Sequence, residues 1–240
     1  GETWVGNWTQ VRNSADVGAG NNTVYGSNDN DSIVAAGGAN YINLLRGADT
    51  VMITGSGNNT VVGLGSDNVE DHVTTGSGND YISLGGGDAP AGSGSAGTDN
   101  VINAGDGNNT VISGGGSDQI VTGSGDDWVD AGSGWNIVTL GAGNDYLTGG
   151  ADTVNAGTGV DTLDHSDATN NYSVTTVSGA MILVNSGGWS DSVLMDGTNN
   201  VEVFMFGSGT DTYKGLATMS TTSETVSMGS GNDYVYTNST

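Results

Sequence analysis

An acidic or amide residue recurs in this chain directly after short glycine-rich turns. The clearest run begins at Ala104 and contains five consecutive nine-residue units: AGDGNNTVI, SGGGSDQIV, TGSGDDWVD, AGSGWNIVT and LGAGNDYLT. In each unit an Asp or Asn closes the turn, and an aliphatic residue follows two positions later. Oxygen-only ligand sets of carboxylates and carbonyls favour calcium. A column of such turns therefore predicts cation binding.

Two of these units make one coil of about 18 residues, so the turn-closing residues fall on two sides of a stack. On the first side they are Asn22, Asn40, Asn59, Asp80, Asn109, Asp127, Asp145 and Asp161. On the second side they are Asp31, Asp49, Asp67, Asp99, Asp118, Asn136 and Asp152. Two further turns near the C-terminus contribute Asp211 and Asp233.

The aliphatic residues that follow these turns predict a thin core between two sheets. The first side supplies Val24, Ile42, Val61, Ile82, Val111, Val129, Leu147 and Leu163. The second supplies Ile33, Val51, Val69, Val101, Ile120, Val138 and Val154. Alternation along a strand places their neighbours outside. One coil cannot bury its own apolar face, so stacking must stabilise the chain. We predict an all-β solenoid.

The pattern divides the chain into three segments. Residues 1–16 are expected to form an N-terminal lead-in strand or cap, and residues 17–164 the repeat stack. An insertion at 88–97, which contains the only proline, is predicted to be a surface loop. Residues 165–240 are predicted to continue as less regular β-structure with two further repeat turns.

Three units, GSGNDYISL from Gly76, TGSGDDWVD from Thr122 and LGAGNDYLT from Leu140, resemble the hemolysin-type calcium-binding (RTX) nonapeptide G-G-x-G-x-D-x-U-x. The resemblance covers roughly residues 17–164 and two outlying copies. It implies a right-handed parallel β-roll that binds several calcium ions between stacked turns and is secreted. By position, the ligands it implies are Asp31, Asp49, Asp67, Asp80, Asp99, Asp118, Asp127, Asp145, Asp152 and Asp161, together with Asp211 and Asp233 in the outlying turns.

The chain departs from the RTX pattern at its start, where Asn22, Asn40 and Asn59 replace Asp. An amide oxygen can ligate calcium but carries no charge, so a hydrogen-bonded Asn ladder is expected there instead. Several second-side turns also lack the second glycine. Calcium is therefore expected to concentrate where full turns with Asp stack, around Asp127, Asp145 and Asp161.

Electrostatics explain why such a stack needs cations. Two like charges ~4.8 Å apart at an effective dielectric of ~20 repel by about 3.5 kcal/mol, and stacked carboxylates repeat that cost at each coil. The chain has a net charge of −24 and only three Lys or Arg residues. We expect it to be loose or unfolded without cations.

Composition makes several function classes unfavourable. Nucleic-acid binding needs clustered basic residues, which the chain lacks. No stretch approaches the ~18 apolar residues of a membrane span, so membrane insertion is not expected. There is no cysteine. His72 and His165 belong to no His-Glu-x-x-His pattern, and no triad or glycosidase pair is convincing, so we do not expect an enzyme.

The residues after the first-side turns should form an outward row of Thr and aromatic side chains: Thr23, Tyr41, Thr60, Tyr81, Thr110, Trp128, Tyr146 and Thr162. The row reflects either ordinary strand preference or a contact surface for a partner sheet, a second subunit or a glycan.

The function that best fits these features is an extracellular, calcium-stabilised structural protein of a surface layer, filament or adhesin that self-associates. The alternative is a non-catalytic accessory or secretion module of a secreted protease, lipase or alginate epimerase. An ice-binding β-roll is a minor alternative, because the turns show no threonine row.

Overall fold

A computed structural model describes residues 3–5, 12–64, 69–85, 99–149, 151–165, 172–177, 180–185, 190–194, 203–206, 208–209, 211–214 and 225–236. Within these ranges the regular secondary structure consists of β-strands. None of the described segments forms a helix long and apolar enough to cross a membrane.

The strands are short and follow one another closely. In chain order they are β1 (Thr3–Val5), β2 (Arg12–Asp16), β3 (Thr23–Tyr25), β4 (Asn30–Ala35), β5 (Tyr41–Leu45), β6 (Thr50–Ile53), β7 (Thr60–Gly63), β8 (His72–Thr74), β9 (Tyr81–Ser83), β10 (Val101–Asn103), β11 (Thr110–Ile112), β12 (Gln119–Val121), β13 (Trp128–Asp130), β14 (Trp135–Ala142), β15 (Tyr146–Thr148), β16 (Ala151–Thr158), β17 (Thr162–His165), β18 (Tyr172–Val177), β19 (Ala180–Asn185), β20 (Ser190–Leu194), β21 (Val203–Phe206), β22 (Ser208–Gly209), β23 (Thr212–Lys214), β24 (Thr225–Ser227), β25 (Ser230–Gly231) and β26 (Tyr234–Tyr236).

Two sheets form the walls of a solenoid. Sheet A runs β1-β3-β5-β7-β9-β11-β13-β15-β17-β21-β24, and sheet B runs β2-β4-β6-β8-β10-β12-β14-β16-β20-β19-β18-β23-β26. From β1 to β17 the neighbouring strands of each sheet are parallel and mostly about 18 residues apart, which gives about eight turns. The predicted all-β parallel solenoid is therefore confirmed.

The core is a pair of facing aliphatic ladders. The predicted first-side ladder is confirmed in full, since each residue from Val24 to Leu163 pairs in register with the next and is buried. On the second side the buried residues are Ile33, Val51, Val73, Ile102, Ile120, Val138 and Val154.

The prediction was wrong for two residues of the second-side ladder, Val69 and Val101. Val73 and Ile102, not Val69 and Val101, are the residues that pair in register between Val51 and Ile120. Side chains alternate faces along a strand, so a one-residue slip moves a side chain from the core to the outer face. Val101 accordingly lies on the outer face of sheet B, only partly buried.

The glycine turns stack so closely that a side chain would collide with the turn below. Gly143 has φ +145°, and a Cβ atom added there would lie 2.1 Å from the carbonyl oxygen of Gly125. Gly125 has φ +119° and would place a Cβ atom 2.5 Å from the carbonyl oxygen of Gly107. Glycine thus meets both the backbone conformation and the close approach.

The stack continues beyond Asp164 in a less regular form, as predicted. Sheet A passes directly from β17 to β21, while β18, β19 and β20 join sheet B as antiparallel neighbours. The rings of Phe204 and Tyr213 pack 5.8 Å apart in the core here. The insertion at 88–97 lies outside the described residues, and the three segment boundaries stay predictions.

Candidate metal sites

A ladder of buried Asp and Asn side chains runs along each side of the solenoid. In every rung the backbone N–H of one residue donates to Oδ1 of the equivalent residue in the next coil. On the first side this chain of hydrogen bonds links Asn22, Asn40, Asn59, Asp80, Asn109, Asp127, Asp145 and Asp161, at 2.7–3.2 Å. We call it the first inner ladder.

The second inner ladder has the same direction but a different membership from the predicted one. It links Asn13, Asp31, Asp49, Asp71, Asn100, Asp118 and Asn136. Asp71 and Asn100 occupy the two rungs that sequence spacing assigned to Asp67 and Asp99. Asp67 lies outside the described residues, and Asp99 is exposed.

Asp99 belongs to a separate series that runs in the opposite direction. Its Oδ1 accepts the backbone N–H of Ser117 in the following coil, at 2.9 Å. Beside the first inner ladder, the same backward bonds join Asn58, Asn79, Asn108, Asp126, Asn144 and Val160. These outer residues are exposed. In a turn with two adjacent Asx residues, the backbone N–H of the inner residue therefore donates to the following coil, and that of the outer residue donates to the preceding coil.

Where the inner rung is Asn, its amide nitrogen satisfies the carbonyl oxygens of the turn. Nδ2 of Asn109 donates to the carbonyls of Gly105 (3.2 Å), Gly107 (3.0 Å) and Thr122 (3.1 Å). Nδ2 of Asn40 likewise donates to Gly38, at 3.1 Å, and to Oδ1 of Asn59, at 2.9 Å. The amide ladder expected for the Asn-rich start of the stack is therefore present.

Where the rung is Asp, an oxygen takes the place of that nitrogen. Oδ1 of Asp127 accepts the N–H of Asn109 just as Oδ1 of Asn109 accepts the N–H of Asp80. The remaining atom, Oδ2 of Asp127, is buried and has no hydrogen-bond partner. One coil along, the carbonyls of Gly123, Gly125 and Leu140 are the counterparts in sequence of the three carbonyls that Nδ2 of Asn109 satisfies. An oxygen among carbonyl oxygens is repelled unless a cation or a proton lies between them.

Three other buried carboxylates share this feature. Oδ2 of Asp80, Asp118 and Asp145 is buried without a hydrogen-bond partner, as it is in Asp127. Carboxylate and backbone carbonyl oxygens are the ligands that calcium takes in proteins. These rungs therefore fit a calcium ion in chemistry and in position. In the described part of the chain no three His, Cys, Asp or Glu side chains converge, so backbone carbonyls must supply most of each shell.

Comparison with known families agrees with this chemistry. A family model of the RTX calcium-binding nonapeptide repeat matches residues 16–51, 70–88, 94–129, 112–147 and 148–167, together more than half of the chain. The chain belongs to the RTX calcium-binding nonapeptide repeat family. Repeats of this family bind Ca²⁺, and proteins that carry them are usually secreted. No curated protein matches the chain significantly.

The burial of the RTX carboxylates changes their acidity. The pKa of Asp127 is raised to about 6, chiefly by burial and to a smaller extent by the nearby charge of Asp145, although the N–H of Asn109 and the nearby hydroxyl of Thr122 oppose the rise. Burial also raises the pKa of Asp80, Asp118 and Asp145 above the usual range. Each of these groups is therefore costly to ionise unless a cation is close.

Buried hydroxyls beside the RTX rungs escaped the sequence analysis. Thr75, Ser113 and Thr122 are buried and donate to backbone carbonyls one coil further on, at 2.7–3.0 Å. Each lies five residues before a carboxylate rung: Asp80, Asp118 and Asp127 respectively. A Ser or Thr at that fixed offset, in place of the usual small apolar residue, is the signal that could have identified them.

The remaining predicted ligands have mixed environments. Asp31 has both oxygens hydrogen-bonded, since Oδ1 accepts Nδ2 of Asn13 (2.8 Å) and Oδ2 accepts the N–H of Ser27 (2.7 Å). Asp49 and Asp161 are buried rungs. The strand residue Asp152 pairs with Asn136, and its side chain is not described.

The two C-terminal repeat turns stack on each other, as the sequence pattern suggests. Strands β22 and β25 pair in parallel, and the N–H of Asp211 donates to Oδ1 of Asp233 at 3.1 Å. Asp211 is buried and Asp233 partly buried. These RTX turns therefore form a short inner ladder of their own.

Proposed function

We propose that this RTX chain is an extracellular structural module, stiffened by calcium, of a surface layer, filament or adhesin. The observation that carries the proposal is the register of its buried carboxylates. Oδ2 atoms of Asp80, Asp118, Asp127 and Asp145 lie buried along one continuous stack. The usual secretion of RTX proteins supports an extracellular location, where calcium is abundant.

Calcium would hold the module together through the coils that it bridges. The rungs of Asp80, Asp118, Asp127 and Asp145 would supply carboxylate oxygens, and the neighbouring turns would supply carbonyl oxygens. A ligand that binds only the folded state stabilises that state in proportion to the logarithm of its concentration over Kd. Several sites along one stack therefore couple folding of the whole solenoid to calcium.

Self-association is the second component of this proposal. Parallel β-solenoids stabilise each coil through its neighbours, and open sheet edges can accept a further strand. A calcium-folded chain that stays monomeric would instead support the second candidate, a non-catalytic accessory module of a secreted enzyme. RTX repeats are structural or binding elements in either case. That the chain lacks catalytic activity stays a prediction.

One experiment tests both components. The chelated protein is titrated with calcium while circular dichroism follows β-structure and light scattering follows mass, with magnesium as the control ion. We expect calcium, and not magnesium, to increase β-structure and then to produce assemblies visible by negative-stain microscopy. Identical spectra with chelator and with calcium would disprove calcium-coupled folding. A calcium-folded monomer at high concentration would disprove the assembly.

A further inference from the structure

The outer face of sheet A carries aromatic side chains in one straight row. Tyr41, Tyr81 and Trp128 are 38%, 40% and 39% exposed, and Tyr146 follows in the next coil after Trp128. In register, Thr60 separates Tyr41 from Tyr81, and Thr110 separates Tyr81 from Trp128. The row predicted from the sequence is therefore present. The rings of Tyr41, Tyr81 and Trp128 recur at every second coil, whereas Tyr146 lies in the coil adjacent to Trp128.

A second outward row lies two residues further along each strand. Apolar and polar residues alternate between the two rows, so that they form a checkerboard. Strands with a ring in the first row carry a polar residue in the second: Asn43, Ser83, Asp130 and Thr148. The strands that begin with Thr23, Thr60 and Thr110 carry an apolar residue instead, namely Tyr25, Val62 and Ile112, whereas the strand of Thr162 carries Asp164 and ends the pattern. Apolar side chains thus meet diagonally, as Tyr25 and Tyr41 do with ring centroids 6.1 Å apart.

We infer that this face binds a neutral, extended polysaccharide that lies along the stack. Rings two coils apart are separated by about 9.6 Å, twice the strand spacing. An extended chain of β-1,4-linked six-membered sugars advances by a similar distance for every two sugars, and then presents the same face again. Sugar C–H groups pack on the electron-rich faces of aromatic rings. The rings of Tyr41, Tyr81 and Trp128 would accordingly meet the equivalent face of every second sugar.

The polar residues of the second outward row supply hydrogen-bond partners for sugar hydroxyls. Asn43 and Ser83 lie on the strands of Tyr41 and Tyr81, and the Asp130 carboxylate lies on the strand of Trp128. Carboxylates and amides accept hydrogen bonds from hydroxyls. A row of exposed rings flanked by such groups combines apolar contact with directional hydrogen bonding.

The end of the row is held in place before any ligand arrives. The hydroxyl of Tyr146 donates to Oδ2 of Asp164 in the next coil. The ring planes of Trp128 and Tyr146 differ by 7°, with centroids 6.3 Å apart. Fixed side chains lose little conformational entropy on binding, which favours recognition by this pair.

Charge decides between the occupants of this face. Asp130 and Asp164 lie beside the rings, and the whole chain has a net charge of −24. An anionic polysaccharide or a second copy of this acidic face would be repelled. A neutral polysaccharide incurs no such penalty and can donate a hydroxyl to the Asp130 carboxylate, which is only partly buried. This inference goes beyond the structural role proposed above and does not depend on where calcium binds.

The test uses cellohexaose as the soluble probe, insoluble cellulose as the matrix and polygalacturonate as the anionic control. Isothermal titration is performed at saturating calcium with the whole chain, the variants Trp128→Ala and Trp128→Tyr, and the matched control Trp135→Ala. Trp135 is a suitable control because it is 53% exposed and belongs to sheet B. Circular dichroism verifies that each variant is folded.

We expect saturable binding of cellohexaose and co-sedimentation with cellulose. Trp128→Ala should weaken binding about tenfold, whereas Trp128→Tyr and Trp135→Ala should keep it. The inference is overturned if the folded chain binds no cellohexaose, if it binds only polygalacturonate, or if Trp135→Ala reduces binding as much as Trp128→Ala. It is also overturned if Trp128→Ala dissociates a dimer, which would assign the face to a second copy. None of these outcomes bears on the calcium titration of the unmodified chain, so failure of this inference and failure of the proposed function are distinguishable.

Discussion

The backbone N–H of Asn109 donates a 2.7 Å hydrogen bond to Oδ1 of Asp127, one coil further along the stack. The two residues hold equivalent rungs of the first inner ladder but differ in one terminal atom. Nδ2 of Asn109 satisfies three carbonyl oxygens, whereas Oδ2 of Asp127 is buried without a hydrogen-bond partner. Each Asn rung therefore completes its own hydrogen bonds, and an Asp rung of this kind needs a cation or a proton.

Replacing the carboxylate with an amide should reduce the dependence of folding on calcium. In Asp127→Asn the new Nδ2 can donate to the carbonyls of the turn, so we expect the calcium-free protein to gain about 1–3 kcal/mol of unfolding free energy. Urea denaturation in chelator measures the gain. Asp126→Asn, at the exposed neighbouring position, is the matched control and should change stability by less than about 0.5 kcal/mol. An equal gain in both variants would show that net charge alone is responsible.

The reciprocal change should create a calcium requirement. Asn109→Asp removes an amide that donates to three carbonyls and adds a buried charge, so the calcium-free melting temperature should fall and calcium should restore it. Differential scanning calorimetry with and without calcium provides the measurement. The double variant Asn109→Asp/Asp127→Asn has the wild-type net charge and separates the position of a carboxylate from the total charge. A fall in melting temperature that calcium does not reverse would contradict the claim that a carboxylate rung requires a cation.

The calcium-free protein should be more stable at mildly acidic than at neutral pH. Burial raises the pKa of Asp127 from 3.8 to about 6 in the folded state, so the folded chain binds the proton more tightly than the unfolded chain. This contribution to stability is complete below pH 3.8 and is lost as the pH rises through about 6. Asp80, Asp118 and Asp145 shift in the same direction. Urea midpoints of metal-free protein between pH 4 and 7.5 should fall, and Asp127→Asn should flatten the curve. A midpoint that rises with pH would refute this assignment.

Stacked turns should tolerate no side chain at Gly143. The Cβ atom of Gly143→Ala would meet the Gly125 carbonyl at 2.1 Å, so we expect a loss of more than about 2 kcal/mol. Gly18→Ala is the control, because its positive φ of +63° costs about 1–2 kcal/mol but its Cβ atom meets nothing within 4 Å. Urea denaturation in calcium compares the two. Equal losses would mean that backbone conformation, and not stacking, explains the need for glycine in the turns.

The fold could be predicted from the sequence because one constraint repeats in every coil. An aliphatic residue two positions after a turn-closing Asx must face the core, and this rule identified every rung from Val24 to Leu163. On the second side it failed twice, because Asp71 forms the rung assigned to Asp67 and Asn100 forms the rung assigned to Asp99. In Asp99-Asn100, the second residue closes the turn, and the choice between them depends on pairing with Asp71 and Asp118 one coil away.

The candidate sites were only partly accessible to the same reasoning. Residue type alone could not separate Asp31, which has both oxygens hydrogen-bonded, from Asp127, which has one. That difference depends on the donors around each carboxylate: Asp31 accepts from Asn13 in the preceding coil and from Ser27 in its own turn, whereas Oδ2 of Asp127 has no hydrogen-bond partner. The outward row of rings was predictable from strand alternation, but its checkerboard with the second row appears only once strands are placed in register.

The number of calcium ions bound before and after removal of carboxylate rungs tests the central claim most directly. Isothermal titration of chelated wild-type protein and of the double variant Asp127→Asn/Asp145→Asn gives the two stoichiometries. We predict that the wild type binds several ions with a Kd at or below extracellular calcium concentrations, and that the folded double variant binds fewer. An unchanged stoichiometry in the folded double variant, or no calcium binding by the wild type, would contradict the assignment of these buried carboxylates as calcium ligands.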